Sequence, residues 1–112
     1  MSVSFQERKI PVEGFMTKFS YIENGFVQVI ENGYQDGSTC IRILGEDGEV
    51  YVTATASMID YGLVPEPGNV FIKTWSENEG IYESLLDAGI ISDAIFRERA
   101  GYAFVYECKL LV

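Results

Sequence analysis

The sequence predicts an α+β domain: a curled antiparallel sheet of about six strands, a meander in its first half, with one main helix at about 76–88 between the last two strands. Three observations predict it. Asn24-Gly25, Asn32-Gly33, Asp36-Gly37 and Asp47-Gly48 punctuate the first half, and such pairs accept the positive φ that two-residue hairpin loops need. Val50, Val52, Ala54 and Ala56 alternate with Tyr51, Thr53 and Thr55, as on a strand with one packed face. Ser76 followed by Glu79 forms a capping box ahead of Ile81, Leu85 and Ala88 at helical spacing.

Taken in order, residues 1–14 lack the apolar core of a signal peptide and read as a poorly ordered or edge segment of a single domain spanning 1–112. Strands are expected near 15–22, 26–31, 38–44 and 49–56. Ile22-Glu23-Asn24-Gly25 recurs as Ile30-Glu31-Asn32-Gly33, which places two turns around one short strand. Pro65, Pro67 and Gly68 mark a connection leading to a strand at 70–75. In the helix that follows, Glu77 and Glu79 oppose the positive end of the dipole and Gly89 supplies a left-handed stop. Gly80 then falls at the fourth helical position, where glycine costs about 1 kcal/mol relative to alanine. Its presence signals close approach of another backbone, the last strand or a partner. Residues 90–101 carry mixed signals, with Ser92-Asp93 able to cap a short helical turn. The last strand, 102–111, sets Tyr102, Phe104, Tyr106, Cys108 and Leu110 on one face.

A helix of about 13 residues is only about 20 Å long, whereas six strands span roughly 29 Å. The sheet must therefore curl, fold its N-terminal segment over itself, or bury its remaining surface against another chain.

Composition excludes more than it assigns. With 112 residues, 47% of them hydrophobic, the chain is long enough for one core. A formal charge of -9 repels phosphate backbones and anionic lipids, so neither direct nucleic-acid binding nor membrane binding is expected. No apolar run approaches a membrane span, and a cytoplasmic location follows by default. Cys40 and Cys108 lie far apart in a chain without histidine, which removes zinc patterns and the Cys-His dyad and leaves two buried thiols. No nucleophile elbow or phosphate-binding glycine loop occurs, so no enzyme, cofactor or metal site is expected. Glu46, Asp47 and Glu49 gather at one hairpin tip without the spacing of a calcium loop.

One charge pattern stands out. Glu79, Glu83 and Asp87, each four residues apart, form an acidic stripe opposite Ile81, Leu85 and Ala88. It is the candidate partner-binding surface, with a merely solvated helix face as the alternative.

The run from Val70 through Trp75-Ser76-Glu77-Asn78-Glu79-Gly80, followed by Leu85, Leu86, Ala88-Gly89-Ile90-Ile91 and Gly101-Tyr102, resembles an uncharacterised family of small proteins encoded by bacteriophages and mobile elements. The resemblance covers about residues 70–111, and its structural motif residues are Trp75, Ser76, Glu79, Gly80 and Gly89. It implies a phage or mobile-element origin and residence in the host cytoplasm, but no activity. The expected function is non-enzymatic: binding and occlusion of a host protein, as an anti-CRISPR-like defence inhibitor would act. Two alternatives stay open, a structural protein assembling as a homodimer through an uncovered sheet face and an acidic mimic of nucleic acid.

Overall fold

The computed structural model describes residues 7–18, 20–75, 78–100 and 103–112. Its elements are β1 (Glu7–Met16), β2 (Tyr21–Ile30), β3 (Cys40–Gly45), β4 (Val50–Thr53), β5 (Asn69–Lys73), α1 (Ile81–Asp87), β6 (Ile91–Ala100) and β7 (Ala103–Leu110), with a 3-10 turn at Ile59–Tyr61 before β5. The α+β class and the antiparallel pairing hold. In place of one curled sheet of six strands there are two sheets, ordered β1-β2-β3-β4 and β5-β7-β6.

The sheets are joined by the residues that follow β4. Ala54 donates to the Ile41 carbonyl of β3 at 2.8 Å, while Ala56 donates to Phe71 at 3.1 Å and Lys73 donates back to Ala54 at 2.9 Å. Thr55, 1% exposed, sits at the crossing and bridges Ile72. Its hydroxyl accepts the Ile41 amide at 3.0 Å and lies 2.9 Å from the Tyr34 hydroxyl, which also donates to the Thr55 carbonyl at 3.1 Å. One continuous core results, with Val27, Val29, Ile41, Ile43 and Val52 from the first sheet against Val70, Ile72 and Cys108 from the second.

The expected turn at Asn24-Gly25 does not form. Both residues lie inside β2, opposite Glu13 and Val12, and the chain reverses instead where Thr17 donates to the Ser20 carbonyl at 2.8 Å. Gly25 is needed for space, since a Cβ there would overlap the Leu44 carbonyl oxygen of β3. The hairpin also changes the face it buries. Val27 and Val29 are core residues of β2, yet so is Ile22, which has the opposite parity, together with its partner Phe15. Gly14, at φ 72, provides the kink in β1 that this requires. The Asp47-Gly48 turn does form, with Gly48 at φ 84 and its amide 3.0 Å from the Gly45 carbonyl.

The helix is shorter than its sequence pattern. Ser76, expected as N-cap, lies outside the described residues; α1 starts at Ile81, with Gly80 as N-cap at φ 90 and ψ -15. That left-handed conformation breaks any helix running through from 76. The close backbone approach expected at Gly80 is present, but from β1: a Cβ would lie 3.2 Å from the Met16 carbonyl oxygen. At the other end Gly89, at φ 73, follows the C-cap Ala88, and the bonds Gly89 to Leu86 at 3.1 Å and Ile90 to Leu85 at 3.0 Å complete a Schellman motif.

The helix is also not between the last two strands. Residues 91–100, expected to be irregular or helical, form β6 against β7. Its register shifts twice, between Ile91 and Ala94 and between Ala94 and Phe96, and these bulges erase the alternation that would have marked a strand.

The placement of α1 answers the covering problem. It packs against β1 and β6, one outer strand of each sheet, on the side away from the β4–β5 crossing. Ile81 and Leu85 enter the core at 0% exposure. Ser84 Oγ accepts the Met16 amide at 3.1 Å and lies 3.3 Å from the Met16 carbonyl, while the Tyr82 hydroxyl accepts the Ala94 amide of β6 at 3.0 Å.

Candidate functional site

Docking α1 against the end of β1 creates a groove of about 450 Å³. Glu83 and Asp87, one turn apart on the exposed side of α1, form one wall, and Glu13 of β1 faces them from the other. Phe15, Met16 and Ala88 supply apolar surface between them. Three carboxylates around low-dielectric walls concentrate negative potential in the groove. The combination suits a lysine or arginine side chain, whose stem covers apolar surface while its head remains among the carboxylates.

The three-residue stripe is thus divided. Glu79 is not helical; it lies in the turn before Gly80 and forms an ion pair with Lys18 at 3.7 Å. It borders a second groove of about 310 Å³, shared with Asn78, Tyr82, Glu83 and Tyr106. Glu83 lines both grooves. Glu13 had no signal in the sequence, because only the tertiary contact of α1 with β1 brings it to the helix.

The other singled-out residues are structural. Trp75 is half-buried against the satellite cluster of Met58, Phe71 and Val105. Asn78, 2% exposed, donates from Nδ2 to the Thr53 carbonyl at 2.9 Å and so ties the segment before α1 to β4. At the Glu46-Asp47-Glu49 tip, Asp47 Oδ1 accepts the Glu49 amide at 2.9 Å, and no metal-holding group of three side chains occurs among the described residues.

Both cysteines are buried and unpaired with each other. Burial, then the nearby charges of Asp93 and Glu107, push the Cys108 thiol from 9.0 up to about 12. A thiol so protonated is a packing group, not a nucleophile. Burial likewise raises the Tyr34 phenol from 10.0 to about 12, against the lowering effect of its bond to Thr55. Glu107, 5% exposed, accepts the Glu66 amide at 3.0 Å and Asn69 Nδ2 at 2.8 Å, holding the connection before β5 onto β7.

No helix of the described residues is long and apolar enough to cross a membrane. Comparison with family models, with curated proteins and with solved structures gave no match.

Proposed function

We propose that the protein is a small acidic binding protein without catalytic activity, of phage or mobile-element origin, that occludes a host protein by seating a basic side chain of it between β1 and α1. The convergence of Glu13, Glu83 and Asp87 on one groove with an apolar floor supports this reading. The resemblance of residues 70–111 supports the origin, and with it a host-defence target in the host cytoplasm. Affinity capture from host lysate tests it, comparing wild type with the combined Glu13→Gln, Glu83→Gln and Asp87→Gln variant. The expected result is a partner retained by wild type, released progressively by salt, and lost with the variant. An identical set of retained proteins would refute the groove as the binding surface.

A second reading rests on a different surface. Pro11, half-buried Phe26 and exposed Val50 stand in one row across β1 to β4 around the buried Leu44, on the face of the first sheet turned away from Val27 and Ile43. This apolar row is where a homodimer would form. Sedimentation across a range of concentrations decides, and a strict monomer eliminates it.

A further inference from the structure

β6 is one of the two outer strands of the second sheet; the other, β5, is met at Ile72 by Thr55. Near the start of β6 the edge is occupied by the Tyr82 hydroxyl at Ala94, but from Phe96 to Ala100 its register against β7 is regular and no strand pairs with its other side among the described residues. An open edge of this kind invites strand addition, and proteins ordinarily blunt it with lysine, proline or a covering element. β1, an outer strand of the first sheet, is blunted in this way: it carries Lys9 and Pro11, and α1 packs against its end. β6 instead exposes Ile95 at 49% and Phe96 at 56%.

β6 is not acidic like the chain as a whole: Asp93 and Glu98 balance Arg97 and Arg99, and Glu98, opposite Val105, lies on the other face from the two arginines. Arg97 lies over the rings of Tyr106 and Phe104, at 5.3 and 5.7 Å, and Arg99 lies over Phe104 at 6.0 Å. Two residues apart on one strand, the two arginines share a face, their Cα atoms about 7 Å apart, and their guanidinium groups rest on the aromatic surface beneath. A second copy of the chain does not complement this pattern. Antiparallel self-pairing about a two-fold axis centred on residue 97, 98 or 99 sets Arg97 against itself, Arg97 against Arg99, or Arg99 against itself, and like charges directly opposite destabilise a strand pair. Carboxylates at alternate positions of an incoming strand match the same face.

We propose that β6, from Phe96 to Ala100, accepts an extended acidic segment of a partner protein as an added strand, with main-chain bonds along the edge and alternate carboxylates facing Arg97 and Arg99. This surface is independent of the groove between β1 and α1. The test titrates the full chain, by fluorescence anisotropy, with three labelled probes: an octapeptide alternating Glu and Val, its Lys and Val counterpart, and a single-stranded oligothymidine. Amide hydrogen exchange is followed in parallel on wild type. The Glu-Val peptide should bind at least about fivefold more tightly than the Lys-Val peptide, the scale of two exposed cross-strand charge pairs. It should also slow exchange at residues 96–100, and Arg97→Glu, which leaves one charge of each sign on that face, should abolish the preference. Equal binding of the two peptides, protection elsewhere, or tighter binding of the oligothymidine overturns the proposal.

Discussion

Replacing Gly80 by alanine separates two accounts of the helix start by the sign of the effect. Were Gly80 an interior helical residue, alanine would stabilise the protein by about 1 kcal/mol. At φ 90 it is instead the left-handed N-cap, with the Met16 carbonyl 3.2 Å from the site of a Cβ. The left-handed conformation costs an L-residue about 1 kcal/mol or more, and crowding a backbone carbonyl adds about another. The sum is about 2 kcal/mol of destabilisation. For 112 residues the unfolding entropy is roughly 0.24 kcal/mol/K, so Tm should fall by about 8 °C. Gly89→Ala is the control, because Gly89 is also left-handed, at φ 73, but has nothing within 4 Å of its would-be Cβ. It should lose only about 1 kcal/mol. Thermal and urea melts of wild type and the two variants make the comparison. A Gly80→Ala protein as stable as wild type or more so, or one no worse than Gly89→Ala, would rule out a left-handed Gly80 crowded by Met16.

Other consequences are as direct. Gly25→Ala should cost about 3 kcal/mol or more in urea unfolding, since its Cβ overlaps Leu44 backbone, which no side-chain rotation relieves. Ser84→Ala removes both bonds to Met16 and should lower stability by about 1 kcal/mol, with faster amide exchange at Met16. Leu85→Ala, at 0% exposure under the sheets, should cost about 2 to 5 kcal/mol. Alkaline pH should destabilise the fold: Cys108 and Tyr34 have folded values raised to about 12 from 9.0 and 10.0, so the unfolded chain loses these protons first. Stability is then intact below about pH 9 and falls towards pH 12 in a Tm series; a flat profile contradicts it. In the same window Cys108 should resist alkylation until the protein unfolds.

What the sequence disclosed followed from local physics. The Asp47-Gly48 turn, strand β5 and the stop at Gly89 depend on conformational preferences of neighbouring residues, and each is present; Tyr102, expected to begin the last strand, lies outside the described residues, and β7 buries Val105 and Glu107 on one face and Cys108 on the other. Where a tertiary contact dictated the conformation, local reasoning failed. Gly25 resembles a turn glycine but serves the close approach of β3. Gly80 resembles a helical residue beyond a capping box but accommodates Met16. The bulges in β6 hide its period, and with them the second sheet. The acidic site divides along the same line: Glu83 and Asp87 are one turn apart on a helix and were legible, whereas Glu13 joins them only because α1 closes the gap between two outer strands. Glu79 stands apart from them because Gly80, the N-cap, separates it from the helix.

The claim at the centre is that a partner's cationic side chain occupies the groove between β1 and α1. Hydrogen exchange of the wild-type chain, free and bound to the partner recovered by affinity capture, tests it most directly. Exchange should slow at residues 13–16 and 80–88 and recover as salt is raised. Protection confined to other surfaces, with these two segments exchanging as in the free protein, would contradict it.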